Sequence, residues 1–367
     1  MRVAMFFWSL ELGGVEHMMV ELSRALAERG HEVTLVLARP HQPQEYKPDQ
    51  RVKVVRLAAL NTASTISRLS QHLRAERYDV LYTAMPTTNI AVIAALKLSG
   101  TQTRLVISER SNPALEARHS RSWRYRAAFT LQPLMYPSAH AIVAVCNDLA
   151  DDLAHFAKLP RKTIRVIYNP AFDGHAATTP GPTHPWIDEK TIPVIVGAGR
   201  LMVQKDWPTL LRAFSALQKL RPARLIILGE GPLRPQLENL VDQLGVRHAV
   251  ALPGFLPDIR PFLAKADAFA LTSLWEGFGN VLVQALGTGC SIVSTDCRNG
   301  PREILGDGAY GKLVPVGDDA DFAQALAGVL DQPFDRAKQQ ERAAMFSVER
   351  SASAYEALFR ELLAKAA

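Results

Sequence analysis

Short apolar runs alternate with longer amphipathic stretches along most of the chain. Residues 1–8 form an apolar run that predicts a buried strand, Gly13 and Gly14 predict a tight turn, and residues 15–29 place apolar side chains at helical spacing. After Gly30 and His31, residues 33–37 predict a second strand. A strand, a crossover helix and another strand are the building block of a parallel sheet. The alternation continues through Val80, Leu81 and Tyr82, then residues 105–107 and residues 141–145. A second start of the same kind lies at residues 192–197, followed by a helical pattern over 207–220 and a strand over 224–228. Residues 268–271 predict one more strand, and residues 280–286 a helix stopped at Gly289. Between the halves, residues 169–191 hold four prolines and four threonines with little apolar periodicity, which predicts a linker. The expected architecture is α/β: two doubly wound, Rossmann-like domains over 1–172 and 190–345, facing a central cleft. Residues 351–367 predict a final helix with Tyr355, Leu358, Phe359 and Leu362 on one side.

Bulk properties fit this picture. A chain of 367 residues supplies two domains with sizeable cores, and 48% hydrophobic with 21% charged residues is ordinary for a globular protein. Cys146, Cys290 and Cys297 are odd in number and match no zinc or redox spacing, so reduced structural thiols in a cytoplasm are expected. No apolar run is long enough to span a bilayer, and Met5 to Trp8 is too short for a signal peptide. The charge is uneven: residues 1–184 carry 22 Lys and Arg against 15 Asp and Glu, while the remainder carries 20 against 21. The whole positive excess lies in the first half, which points to an anionic partner there: a membrane surface, a lipid diphosphate or nucleic acid.

Candidate chemistry concentrates in loops after predicted strands. In the run from Glu276 through Gly277, Phe278, Gly279, Asn280 and Val281 to Gln284, an acidic side chain and two glycines precede a helix start, with a second polar side chain about one turn along. Amides at a helix start lack intrahelical acceptors and sit at the positive end of the peptide dipoles, so phosphate oxygens are natural partners. The carboxylate of Glu276 can accept from sugar hydroxyls, and the amide of Gln284 can both accept and donate. Arg200 and Lys205, five apart in the loop after the strand at 192–197, can converge on a diphosphate. Gly229 and the Gly254-Phe255 pair also follow predicted strands. In the first half, Glu109 and Arg110 follow a predicted strand and either address a ligand or pair with each other. Residues 118–126, including Arg121 and Arg124, run into Phe129, Leu131, Leu134 and Met135. They read as a cationic helix that either lies on an anionic membrane, holds a lipid diphosphate, or is a solvated face over a core stripe. Gly14 opens a helix after a glycine turn that lacks dinucleotide spacing. No His/Asp cluster at ligand spacing and no plausibly placed D-x-D pattern is visible, so no metal is expected.

The Glu276 segment resembles the signature of the retaining GT-B glycosyltransferases of family 4, a glutamate followed eight positions later by a second glutamate in the setting E-G-F-x-N; this chain carries Gln284 at the second position. The segment with Arg200 and Lys205 resembles the family's G-R-L-x-x-x-K, the Glu109-Arg110 segment its S-E-R-x-N-P, and residues 294–317 a pattern of lipopolysaccharide and capsule transferases. The resemblance spans nearly the whole chain. It implies a hexosyltransferase of GT-B fold whose final helix packs back on the first domain. It implies a nucleoside diphosphate sugar, expected to be UDP-linked, as co-substrate, and a glycan or polyprenyl-diphosphate-linked acceptor, with no metal or other cofactor and no nucleic acid. By residue, it implies leaving-group stabilisation by Arg200 and Lys205 and sugar contact by Glu276. Donor contacts fall to Gly14, Gly229, Gly254, Phe255, Gly277, Phe278, Gly279, Asn280, Val281 and Gln284, and the acceptor side to Glu109, Arg110, Arg121 and Arg124. A cytoplasmic enzyme peripheral on the inner face of the membrane is the expectation. Two rivals are an epimerase of the same architecture acting on a UDP-sugar and a non-catalytic nucleotide-sugar-binding protein.

Overall fold

The computed structural model describes residues 1–11, 13–42, 45–119, 122–174 and 184–365. The chain divides into two compact units, Met1–Pro170 with Val348–Ala367, and Ala171–Ser347.

The first unit is built on β1 (Arg2–Phe7), β2 (Glu32–Leu37), β3 (Lys53–Arg56), β4 (Val80–Ala84), β5 (Arg104–Glu109), β6 (Ala141–Ala144) and β7 (Ile164–Val166). They lie in the order β3-β2-β1-β4-β5-β6-β7, every recorded pairing parallel. Strands covered by helices on both faces must be apolar throughout rather than alternating, and β1 shows this, with residues 3–7 all buried. The sequence of the strands reverses direction across the sheet between β1 and β4, and loops leaving such a switch point open a crevice at the carboxyl edge. The core beneath includes Met5, Leu22, Leu26, Leu35 and Tyr82, and takes Tyr355, Phe359 and Leu362 from the final helix, Val348–Ala364.

The second unit repeats the plan with β8 (Val194–Ala198), β9 (Arg224–Leu228), β10 (Val250–Gly254), β11 (Ala268–Leu271), β12 (Ser291–Thr295) and β13 (Lys312–Val314). Their order is β10-β9-β8-β11-β12-β13, again parallel, with the switch point between β8 and β11. Trp207, Phe214, Leu225, Ile227 and Phe322 fill its core.

Several boundaries differ from the sequence reading. Ala171 and Phe172 belong to the second unit rather than the first, because both amides donate to the carbonyl of Phe346, at 3.1 and 3.2 Å. The expected linker is partly structured: Pro185–Asp188 is a short helix, with Ile187 buried and the Trp186 ring 4.9 Å beneath the Arg224 guanidinium. Residues 175–183 of that stretch lie outside the described residues. The cationic helix is two helices, Pro113–His119 and Trp123–Met135, and Arg121 lies outside the described residues. All three cysteines are free and buried.

Candidate functional site

At the switch point of the second sheet, two loops leave the carboxyl ends of β8 and β11 and are stitched together. The Thr272 hydroxyl donates to the carbonyls of Lys205 and Asp206 at 3.0 and 3.1 Å. The amide of Leu274 donates to the Gln204 carbonyl at 2.8 Å, and the Gln204 side chain donates to the Trp275 carbonyl at 2.9 Å. A third loop, after β12, supports the same segment, since the Glu276 amide donates to the Arg298 carbonyl at 3.2 Å and the Thr295 hydroxyl to the Ser273 carbonyl at 2.6 Å. Buried backbone groups need partners, and here loops of distant sequence supply them for one another.

This scaffold fixes Glu276. Its carboxylate is 7% exposed and forms an ion pair with Lys205, whose side chain is 13% exposed. Both Lys205 Nζ and the Ser273 hydroxyl, at 2.6 Å, donate to the same oxygen, Oε1. Among the described residues no side chain donates to Oε2. Lys205 carries three N–H donors, so the ion pair still leaves it able to serve a phosphate. Arg200 is exposed, and its carbonyl accepts from the Trp207 indole at 3.0 Å, which anchors the loop rather than the side chain.

The glycines of the region hold positions that a side chain would occlude. Gly279, at φ +97°, precedes the helix Asn280–Thr288 and carries no side chain to cover its first amides. Gly229, at φ +146°, packs so closely that a Cβ would strike the Gly199 carbonyl oxygen, and its amide donates to the Gly254 carbonyl at 2.8 Å. Gly229 and Gly254 are thus brought together at the ends of neighbouring β9 and β10, with Phe255 50% exposed beside them. Phe278 is buried against Phe346, while Gly277, Asn280, Val281 and Gln284 are half-buried. Burial, with the Glu276 charge nearby, pushes the Cys297 thiol up to about 12, so it stays protonated at neutral pH.

In the first unit, Gly14 is the exposed first residue of the helix Gly14–Glu28. Glu109 and Arg110, read from the sequence as following a strand and either addressing a ligand or pairing with each other, are both buried. Glu109 is the last residue of β5, and its Oε1 accepts from the Tyr136 hydroxyl, from Asn89 at 3.0 Å and from Gln132 at 3.3 Å. Arg110 does not pair with it; the guanidinium donates to Asn169 and to the hydroxyls of Tyr82, at 2.5 Å, and Tyr355, at 3.3 Å. Arg124 is exposed on the Trp123–Met135 helix, 5.7 Å from the Trp123 ring centroid. Sequence reasoning missed Ser273, Thr272 and Gln204. The available signal was a hydroxyl three residues before a loop carboxylate, which is common in turns. Among the described residues, no group of three or more His, Cys, Asp or Glu is placed to hold a metal ion.

A pair of parallel sheets, each with a switch point, is the architecture of the GT-B glycosyltransferase fold. Residues 12–171 match the model of Glycosyltransferase Family 4, and residues 192–332 match that of Glycosyl transferases group 1. Between them the two models span most of the chain, which belongs to these glycosyltransferases. Among curated relatives, the chain is similar to the Campylobacter jejuni N-acetylgalactosamine-N,N'-diacetylbacillosaminyl-diphospho-undecaprenol 4-alpha-N-acetylgalactosaminyltransferase, 27% identical over 90% of both chains. It is also 27% identical to the lipopolysaccharide core biosynthesis glycosyltransferase LpsE of Rhizobium meliloti, over 93% of this chain and 92% of that one. Among solved structures, Anabaena HepE in complex with UDP and glucose superposes with a TM-score of 0.78 at 19% identity, covering 98% of this chain and 100% of the other.

Proposed function

We propose that this enzyme moves a hexose or N-acetylhexosamine from a UDP-linked sugar to a polyprenyl-diphosphate-linked or polysaccharide acceptor, with retention of anomeric configuration. The observation that carries the proposal is the ion pair of Lys205 and Glu276 at the β8/β11 switch point, beside the start of the helix Asn280–Thr288. The diphospho-undecaprenol-linked acceptor of the C. jejuni relative and the lipopolysaccharide core role of the R. meliloti relative support the acceptor class, and the UDP and glucose in the HepE complex support the donor.

In this reading the sugar C1–O bond to the diphosphate breaks as the acceptor oxygen bonds to C1 on the same face. The acceptor proton passes to the departing phosphate. Charge grows on that phosphate, and Arg200, Lys205 and the helix-start amides stabilise it where it develops. Glu276, fixed through Oε1, presents Oε2 to a hydroxyl of the transferred sugar. No protein nucleophile is needed, and no metal.

The enzyme also docks on an anionic membrane at the inner face of the cytoplasmic membrane. The Trp123–Met135 helix buries Ala128, Phe129 and Gln132 on one side and on the other exposes Trp123 (73%), Leu131 (38%) and Leu134 (75%). At helical spacing these three share a stripe with exposed Ala127, and Arg124 and Arg126 flank it on opposite sides. An apolar stripe edged by cations is the pattern of a helix lying in a lipid interface. Among the described residues, no helix is long and apolar enough to cross a membrane.

The test is UDP release from a panel of UDP-sugars with and without polyprenyl-diphosphate-linked glycans. Acceptor-dependent release is expected, undiminished in EDTA, with Lys205→Ala lowering kcat on the order of 100-fold or more. Isomerisation of donor without acceptor, or binding with no turnover, would refute transfer, and loss of activity in EDTA would refute the metal-free step.

A further inference from the structure

Ser273 stands in the loop after β11, and the reaction described above gives it no part. It is fully buried, and the backbone around it is held from two directions. The Thr272 hydroxyl and the Leu274 amide, on either side of it, reach the carbonyls of residues 204–206, and its own carbonyl accepts from Thr295 at 2.6 Å. A short side chain on so fixed a backbone costs little to order. Its hydroxyl donates to Glu276 Oε1 at 2.6 Å, the oxygen that Lys205 also uses.

Two donors on one oxygen do what a single donor cannot. The last torsion of a glutamate is broad and roughly two-fold, so a carboxylate held by Lys205 alone is free to exchange its oxygens or to turn both toward the ammonium. With Ser273 in place, either turn breaks a hydrogen bond to an ion, which is stronger than one between neutral groups. A buried ion pair also needs further hydrogen bonds to offset its lost hydration, and the hydroxyl supplies one. A carboxylate deprived of it would draw harder on Lys205 and neutralise more of the charge needed at the phosphate.

We infer that Ser273 is a positioning residue that acts through Glu276: it fixes which carboxylate oxygen faces Lys205, and so keeps the other toward the sugar and the remaining Lys205 N–H groups toward the phosphate. The inference rests on the glycosyl-transfer reading of this site.

Steady-state kinetics of acceptor-dependent UDP release, run at high enzyme concentration with the UDP-sugar and acceptor that wild type uses best, tests it in a double-mutant cycle of Ser273→Ala and Glu276→Ala. Ser273→Ala is expected to lower kcat by roughly 10- to 100-fold, the size of a hydrogen bond to a charged group. The donor KM is expected to stay within about threefold of wild type, because the charge that Lys205 meets grows only as the bond breaks. Ser273→Cys, whose thiol donates weakly, is expected to fall between the two. In a chain that already carries Glu276→Ala, Ser273→Ala is expected to lower kcat by less than about twofold, since the group it orients is gone; a merely structural residue would lower it by the same factor in both backgrounds. Equal factors, or Ser273→Ala turning over like wild type, would overturn the inference while leaving the transfer reading intact. No acceptor-dependent UDP release from wild type would overturn the transfer reading, and the inference with it.

Discussion

Glu109 shows how far one side chain can depart from its appearance in sequence. The carboxyl is completely buried, three donors converge on Oε1, and Oε2 meets none among the described residues. Burial is the dominant influence and pushes its pKa from 4.5 up to about 8, against the hydrogen bonds from Tyr136 and Asn89 and the charge of Arg110, which all act downward. The folded chain therefore holds this proton to higher pH than the unfolded chain does. The stability it contributes is complete below the unfolded pKa and is lost as pH rises through about 8, at a rate of up to about 1.4 kcal/mol per pH unit. Urea midpoints measured between about pH 5 and 9 should fall with pH in wild type and stay flatter in Glu109→Gln; parallel curves would show that the carboxyl titrates normally. At this scale the charges were legible and their surroundings were not. Glu276, Lys205 and Arg200 stand out because their loops, which follow predicted strands and carry glycines, match the family's motifs, not because a loop charge is unusual. Nothing in the sequence says that Ser273 shares an oxygen of Glu276 with Lys205, or that Gln132 and Tyr136 close over Glu109, because those meetings depend on how separate elements fold against one another.

Elements announced themselves in proportion to their length and apolar content. β1, β5 and β9 carry continuous apolar runs of five, three and four residues and were readable, whereas β3 and β7 are edge strands of four and three residues with at most two consecutive apolar positions. The turn after β12 was legible only as part of a family pattern, and its task was not: at Gly300, φ +115°, a Cβ would strike the carbonyl oxygen of Phe278, so the turn seats directly against the Glu276 segment. Gly300→Ala should displace that segment and lower kcat/KM by about tenfold or more while the unfolding midpoint falls modestly, since strained positive-φ sites cost on the order of 1–3 kcal/mol. Unchanged kinetics would mean that the turn supports nothing catalytic. The Trp123–Met135 helix makes the opposite kind of element, with apolar residues on both faces but only one face inside the unit. Arg124→Glu with Arg126→Glu should abolish flotation with vesicles containing about one-third anionic lipid and leave turnover of a short-chain soluble acceptor unchanged. Association equal to wild type would remove the membrane from the proposal.

For the molecule as a whole, the consequential feature is that the chain leaves the first unit after Pro170 and returns to it at Val348, so a unit that begins at the first residue is completed by nearly the last. The amphipathic pattern of the final helix was legible, but its place was legible only through the family resemblance, because an apolar stripe does not name the core that it enters. Val348, Tyr355, Leu358, Phe359 and Leu362 all join the first unit's core. At roughly 1.5–3 kcal/mol for each large buried side chain, their loss is on the order of 10 kcal/mol, comparable with the entire stability of a typical domain. Polar ties add to this: the Tyr355 hydroxyl lies 3.2 Å from that of Tyr82 and accepts from Arg110, and the Ser351 hydroxyl donates to the Tyr168 carbonyl at 2.7 Å. Truncation after Ser347 removes these partners and leaves the buried Arg110 cation with one phenol fewer, so it should unfold the first unit specifically. Hydrogen exchange of the truncated chain should then show residues 2–170 exchanging at near random-coil rates and residues 194–344 still protected. Tyr355→Phe, which keeps the ring and removes the hydroxyl, should cost only about 1–2 kcal/mol and leave both regions protected. Protection of residues 2–170 in the truncated chain would show that the core closes without its last helix, and that the second crossing contributes no stability to the first unit.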